Sequence, residues 1–131
     1  MRKSLLLALL FAAVIGLARP CRAAYPDRYN VAWNSPSEDC HGSMPLGNGE
    51  IGLNTWIEPS GDLCFYISRT DSWGDNARLL KVGKVRITLD PSPLARSSDF
   101  HQVLRLRDGT MIARLGEGNE AATLRLWVDA N

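Results

Sequence analysis

The sequence predicts an all-β, antiparallel β-sandwich preceded by a signal-peptide helix. Beyond residue 24, runs in which apolar and polar residues alternate recur every eight to twelve residues. Turn residues separate these runs, and no stretch keeps apolar residues at helical spacing for three turns. With residues 1–23 as the signal peptide, the 108 residues of 24–131 provide one sandwich domain with one modest core.

Residues 1–23 have the pattern of a cleavable export signal. Arg2 and Lys3 give a basic start, residues 5–18 are all apolar or glycine, and small residues at 23–24 offer a cleavage site. The 14 apolar residues would form about 21 Å of helix, which is shorter than the roughly 30 Å hydrocarbon core of a membrane. We therefore predict cleavage rather than anchoring, and a secreted or periplasmic location.

The net positive charge of the sequence comes entirely from this predicted signal peptide. It holds four of the 15 basic residues, so residues 24–131 carry 11 basic and 14 acidic residues, a net charge of −3. No basic stripe remains to gather nucleic acid or anionic lipid. We expect neither nucleic acid nor, after signal cleavage, a membrane as a partner.

The cysteines leave two alternatives open. Cys21 stands where a bacterial lipoprotein would carry its lipid, although the preceding Ala-Arg-Pro of residues 18–20 suits that processing poorly. Cys40 and Cys64 could form a disulfide in an oxidising compartment, but two cysteines establish no framework, and small buried apolar side chains are the favoured interpretation. Cysteine and histidine are too sparse for a structural zinc site, and we expect no metal or cofactor.

The first half of the domain contains four predicted strands. Residues 29–33 form the first, and residues 50–57 form the second, with Ile51, Leu53, Thr55 and Ile57 on one face. The Pro-Ser-Gly-Asp sequence of 59–62 has hairpin chemistry and leads into a strand over 63–68. A polar loop over 69–76 precedes a strand over 79–89, in which a β-bulge at Gly83 explains a change of apolar phase.

The second half is a predicted meander. After a proline-rich loop over 92–98, strands over 103–107, 111–115 and 122–128 alternate with glycine turns. The predicted buried face consists of Leu104, Leu106, Met111, Ala113, Leu115, Leu124, Leu126 and Val128. Opposite lie Arg105, Arg107, Arg114 and Arg125, for which a solvated face is favoured over a ligand surface. Because the last strand is uncovered, we expect further chain after it, so that the sandwich would be incomplete.

Residues 45–52, Pro-Leu-Gly-Asn-Gly-Glu-Ile-Gly, form the most informative segment. Gly47, Gly49 and Gly52 indicate a tight turn with positive φ angles or close backbone approach. A phosphate loop would need a following helix and a lysine, and the segment has neither. The residues alone favour a structural turn over a binding site.

A family resemblance adds to this interpretation. Trp33, residues 43–54 and the Thr-Asp-Ser-Trp of 70–73 resemble the N-terminal sandwich of bacterial secreted proteins related to glycoside hydrolase family 95, in particular domain of unknown function 5703. The resemblance implies a supersandwich ahead of an (α/α)6 barrel that holds the catalytic carboxylates. No catalytic residue is therefore carried over to this chain. Family-95 enzymes have asparagine-glutamate-aspartate-threonine-leucine-tryptophan where this chain has residues 68–73, and only Asp71 and Trp73 correspond. This difference weakens any assignment of fucose as the sugar.

The candidate site residues, for carbohydrate binding or a domain interface, are Asn48, Glu50, Asn54, Asp71, Trp73 and Asp75. Glycoside hydrolysis needs two carboxylates about 5–10 Å apart, but loop and cap roles are favoured for the three acidic candidates. Trp73 could stack on a sugar or fill a gap between domains, whereas Trp33, Trp56 and Trp127 are expected in core or inter-domain packing.

Three functional hypotheses follow. The first is an N-terminal accessory domain of a glycoside-hydrolase-like secreted protein, with residues 45–54 and 70–76 facing a C-terminal helical-barrel domain. The second is a stand-alone carbohydrate-binding sandwich, in which Trp73 and Asn48 hold the sugar. The third is a structural domain without a ligand.

Overall fold

The computed structural model describes residues 26–130 as two four-stranded antiparallel sheets, and it confirms the all-β prediction. The predicted signal peptide lies outside these residues, and its cleavage stays a prediction. The strands are β1 (Val31–Trp33), β2 (Met44–Gly47), β3 (Ile51–Ile57), β4 (Leu63–Gly74), β5 (Arg78–Ile87), β6 (Phe100–Arg105), β7 (Thr110–Leu115) and β8 (Ala122–Trp127). Short 3₁₀ turns occupy Pro26–Tyr29, Cys40–Gly42 and Gly118–Glu120. In this part of the chain, no helix has the length and apolarity needed to cross a membrane.

Each sheet is built mainly from strands that follow one another along the chain. One sheet has the order β2-β3-β4-β5, and the other has the order β1-β6-β7-β8, so only β1 joins strands that are distant in sequence. The buried cluster takes side chains from both sheets, including Met44, Leu53 and Ile57 from the first and Leu104 and Met111 from the second. The core therefore lies between the two sheets, as alternation of side chains requires.

The turn predicted over 45–52 is wrong in its first half, because residues 44–47 form β2. Met44 and Leu46 are buried and alternate with the exposed Pro45 and Gly47. Proline is compatible with this position because β2 is an edge strand, where a missing amide donor costs no ladder bond on the open side. The actual turn is limited to residues 48–50.

The polar loop predicted over 69–76 is also wrong, since β4 continues to Gly74. Trp73 pairs with Leu79 and Gly74 with Arg78, so β4 and β5 form a long hairpin that turns at residues 75–77. The bulge predicted at Gly83 is confirmed within one residue. Ile67 pairs with Gly83 and Ser68 with Lys81, which leaves Val82 as the extra residue.

Several side chains differ from their predicted burial. Leu106 is 42% exposed because β6 ends at Arg105 and the chain has already turned away from the core. Trp56 is 2% exposed although it faces away from the core, since it packs on Tyr66 with ring centroids 5.3 Å apart. Trp33 and Trp127 are 42% and 55% exposed, so neither belongs to the core. Ile51, predicted on the core face of β3, is 38% exposed at the start of that strand.

Candidate functional site

The two segments singled out in the sequence meet at one end of the β2-β3-β4-β5 sheet. Ile51 is paired with Arg69, and the Thr70 amide donates a hydrogen bond of 3.0 Å to the Glu50 carbonyl oxygen. Between the segments lies an open cavity of about 260 Å³. We call it the turn–strand site; it is lined by Gly47, Gly49, Glu50, Ile51, Gly52, Ser68, Arg69, Thr70 and Leu79.

Asn48 organises the turn that forms one wall of the turn–strand site. Its Oδ1 accepts hydrogen bonds from the backbone amides of Glu50, at 2.9 Å, and Ile51, at 2.8 Å. Gly49 has a φ of +94°, which favours glycine over any residue with a side chain. Gly47 lies so close to the neighbouring strand that an added Cβ would stand 2.9 Å from the Ile51 carbonyl oxygen. The glycine-asparagine-glycine sequence thus has a structural cause.

Asn48 also ties the end of the second sheet to this turn. Its Nδ2 donates a hydrogen bond of 2.6 Å to the carbonyl oxygen of Asp129, just beyond β8. The backbone that leaves β8 therefore passes beside the turn–strand site. Both polar ends of the Asn48 amide are engaged within the protein.

An exposed charged group lies at the mouth of the site. The Arg69 guanidinium donates to Glu50 Oε1 from Nη2, at 2.6 Å, and from Nε, at 3.1 Å. The same Nε lies 3.4 Å from Asp71 Oδ1. The hydrogen bond to Glu50 and the charge of Asp71 raise the pKa of Arg69 above its ordinary value, so the guanidinium stays protonated. Since the three side chains are at least half exposed, solvent screens their attraction.

The arrangement of these groups differs from the carboxyl pair of a glycosidase. A glycosidase needs one carboxyl that retains its proton as a general acid and a second carboxylate placed across the scissile bond. Glu50 and Asp71 instead share one guanidinium, and both are well solvated. Both can accept hydrogen bonds from sugar hydroxyls or from the polar atoms of another protein surface.

Apolar side chains border the charged group. Trp73 is 59% exposed, and its indole N–H donates a hydrogen bond of 2.7 Å to the Thr70 carbonyl oxygen, which fixes the ring at this edge. Leu79, its cross-strand partner, is 47% exposed, and Ile51 is 38% exposed. We call these three side chains the apolar rim.

The structure brings four of the six candidate residues to this site and leaves two outside it. Asn48, Glu50, Asp71 and Trp73 lie on its turn, mouth and rim, as described above. Asn54 lies further along β3, where its amide donates to the Ser43 hydroxyl at 3.3 Å. Asp75 lies in the β4–β5 turn, beyond the end of β4.

Sequence reasoning missed Arg69, the residue that joins the two segments. Its role depends on the β3–β4 register, which places it directly opposite Ile51. The one signal available was its position next to Thr70, at the border of the predicted strand and the polar segment.

A second polar cluster lies at the other end of the same sheet. Arg86 Nη1 is 2.6 Å from Asp62 Oδ2 and 2.8 Å from Glu58 Oε2, so the guanidinium ties the β3–β4 hairpin to β5. The buried Cys64 thiol donates to Glu58 Oε1 at 3.3 Å. Burial raises the pKa of Glu58, but hydrogen bonds from Arg86 and Cys64 outweigh it and hold that pKa below its ordinary value. This cluster is named the Arg86 clamp.

In the described part of the chain, Cys40 and Cys64 are both free, so the structure does not contain the disulfide that the sequence left open. Burial is the main cause that raises the pKa of the Cys64 thiol, and the hydrogen bond to Glu58 raises it further. Cys64 is therefore a small buried side chain with little thiolate at neutral pH, as the favoured interpretation had it. Within residues 26–130, no three His, Cys, Asp or Glu side chains are grouped closely enough to hold a metal ion.

Comparison with known proteins identifies the family. Neither the curated proteins nor the solved structures give a match to the chain. A family model described as "Domain of unknown function (DUF5703)", for the N-terminal domain, matches residues 32–131 and thus nearly all of the described sandwich. This confirms the predicted resemblance to domain of unknown function 5703. The chain belongs to the DUF5703 N-terminal domain family.

Proposed function

We propose that this sandwich is the N-terminal accessory domain of a secreted, glycoside-hydrolase-like protein. In this proposal the turn–strand site packs against a helical-barrel domain that follows it in the chain. The observation that carries the proposal is that the apolar rim and the end of β8, where the chain leaves the sandwich, lie at the same site.

The path of the chain supports the choice of partner. The bond from Asn48 to Asp129 holds the end of β8 beside the turn–strand site. Connections between packed units are usually short, so a domain encoded after Asn131 would begin next to this site. The family model supports the same order, because it describes an N-terminal domain.

The chemistry of the surface supports packing rather than catalysis. Interfaces between domains combine an aromatic or aliphatic centre with a polar border, in which arginine is enriched. The apolar rim provides the first element, and Arg69 with its two carboxylates provides the second. When a partner excludes water, these ion pairs lose their screening and fix the relative orientation of the two domains. The sandwich would then contribute loops near the barrel's site.

The test is to express the reading frame beyond codon 131 together with the sandwich and to follow unfolding. A Trp73→Ala/Leu79→Ser variant is expected to unfold in two separate transitions, whereas the unchanged protein unfolds in one. Trp33→Ala is the matched control, because Trp33 is also exposed, at 42%, but lies on β1, at the edge of the other sheet opposite β8. Residues 24–131 alone are expected to show no hydrolysis of aryl glycosides. An immediate stop codon, or a variant that unfolds like the control, would contradict the proposal.

A stand-alone carbohydrate-binding module is the second candidate function. The observation in its favour is the exposed Trp73 ring, held in place at the border of a cavity that also contains Glu50 and Arg69. Flat aromatic faces stack on sugars, and neighbouring charged groups bind the hydroxyls. A glycan array probed with residues 24–131 would support this candidate if one glycan binds and Trp73→Ala abolishes the signal. Absence of binding to every glycan would exclude it.

A further inference from the structure

The outer face of the β1-β6-β7-β8 sheet carries another cavity, which shares no lining residue with the turn–strand site. Its volume is about 270 Å³. Leu104, Met111 and Ala113 point into the core, so their neighbours along β6 and β7 face outward. The cavity is lined by Asn30, His101, Val103, Arg105, Ile112 and Arg114.

Three arginines from three adjacent strands occupy this outer face. Arg105 lies on β6, Arg114 on β7 opposite His101, and Arg125 on β8 opposite Ile112. Because neighbouring strands are about 4.8 Å apart, the positive charge extends over about 10 Å of the sheet. We call Arg105, Arg114 and Arg125, together with Trp127, the basic face.

Two of these guanidiniums are not neutralised by the protein. Arg105 is paired with Asp108 at 3.1 Å. Arg114 makes no hydrogen bond or ion pair with any residue of the described part of the chain. Arg125 contacts the ring of Trp127, 5.3 Å from its centroid, and Trp127 is itself 55% exposed. Unpaired guanidiniums beside an exposed indole provide anion-binding groups next to a flat apolar surface.

We propose that the basic face binds an anionic polysaccharide, a chain of sugars that carries carboxylate or sulfate groups. Guanidiniums bind these groups through two parallel hydrogen bonds, and the Trp127 ring offers a surface for a sugar ring. The positive groups are spread over three strands, so an extended polymer can contact all of them, whereas a single small anion cannot.

Nucleic acid fits the same face less well. Nucleic-acid-binding domains are strongly basic as a whole, whereas residues 24–131 carry a net charge of −3. Three arginines on an acidic domain match a polymer of lower charge density. The inference rests on residues of the β1-β6-β7-β8 sheet that are not part of the turn–strand site, so it does not depend on the proposed function.

The test is affinity electrophoresis of the full chain in gels that contain polygalacturonate, dextran sulfate or neutral dextran. We expect retardation by at least one of the two anionic polymers, weaker retardation as salt is added, and none by dextran. Retardation by polygalacturonate alone assigns carboxylates as the ligand groups, and retardation by dextran sulfate alone assigns sulfates. Arg114→Gln/Arg125→Gln is expected to weaken binding at least about tenfold, and Trp127→Ala is expected to weaken it less.

The matched control is Arg78→Gln/Lys84→Gln, which makes the same change in net charge on β5 of the other sheet. It is expected to bind like the unchanged protein, and urea midpoints check that all variants are folded. Four results would overturn the proposal: no retardation by either anionic polymer, no effect of the Arg114/Arg125 change, equal loss in the control, or equal retardation by neutral dextran. Single-stranded DNA that binds as tightly, with the same arginine dependence, would overturn the assignment to a polysaccharide.

Discussion

The three glycines of the turn–strand site are under different constraints, and replacing each by alanine tests the geometry of the site. An added Cβ at Gly47 would stand 2.9 Å from the Ile51 carbonyl oxygen, a backbone atom that also accepts the Asn48 amide at 3.2 Å. At Gly52, directly across the strand pair, an added Cβ meets nothing within 4 Å. Gly49 also has open space, but its φ is +94°.

The magnitudes follow from these constraints. Overpacking against a fixed atom costs about 1–3 kcal/mol, which is our expectation for Gly47→Ala. A positive φ costs a residue with a side chain roughly 1–2 kcal/mol, which applies to Gly49→Ala. Alanine in place of glycine within a strand gains roughly 0.5–1 kcal/mol where no clash occurs, so Gly52→Ala is expected to be neutral or stabilising. Gly47→Ala and Gly52→Ala should therefore differ by about 1–4 kcal/mol.

Urea unfolding followed by tryptophan fluorescence measures this difference, provided that the m-value is unchanged. In a domain of this size, 1 kcal/mol corresponds to a shift of about 4–8 °C in Tm, so thermal unfolding gives a second measurement. The reasoning is refuted if Gly52→Ala destabilises the protein as much as Gly47→Ala does. It is also refuted if Gly49→Ala is the most stable of the three variants.

Three further predictions concern the core and the Arg86 clamp. Met111→Ala should cost about 2–5 kcal/mol in urea unfolding because Met111 is fully buried, whereas Leu106→Ala, at a side chain 42% exposed, should cost much less. The folded-state pKa of Glu58 lies below its ordinary 4.5, so its contribution to stability is complete above the unfolded pKa and is lost as the pH falls through the folded value. Unfolding measured from about pH 6 to about pH 3 should thus show a smaller acid loss in Glu58→Gln than in the unchanged protein. Iodoacetamide at about pH 8 should label Cys40 before the buried Cys64, as peptide mapping would show, and equal rates would contradict the burial of Cys64.

The elements predicted correctly from the sequence are those whose signals are local. The hairpin around residues 59–62 has its turn residues between two alternating strands, and the bulge near Gly83 appears as a change of apolar phase. β2 and the outer part of β4 had no such signal. Pro45 and Gly47 disfavour a strand, and residues 69–74 are mostly polar. Pairing with β3 makes residues 44–47 a strand, and the outer part of β4 is held by the pairs of Arg69 with Ile51 and of Trp73 with Leu79.

The side chains of the candidate site could also be predicted only where the sequence has a local signal. Residue type and resemblance selected six candidates, of which Asn54 and Asp75 lie outside the turn–strand site. Arg69 was missed because only the pairing of β3 with β4 places it against Glu50. The tertiary bond from Asn48 to Asp129 joins residues 81 positions apart, and no local pattern indicates it.

The net charge of the domain does not describe the charge on one face of one sheet. The sequence predicts Arg105, Arg107, Arg114 and Arg125 on one face, and a solvated face is favoured because charges on an open sheet face are common. The negative net charge of residues 24–131 is the argument against nucleic acid and anionic lipid. The net charge of residues 24–131 includes the carboxylates of the turn–strand site and of the Arg86 clamp, which belong to the other sheet. Packed sheets are about 10 Å apart, and charges are largely screened beyond about 8 Å at physiological ionic strength. A polymer at the basic face therefore encounters the two guanidiniums that the protein leaves unpaired much more strongly than the acidic groups behind the core.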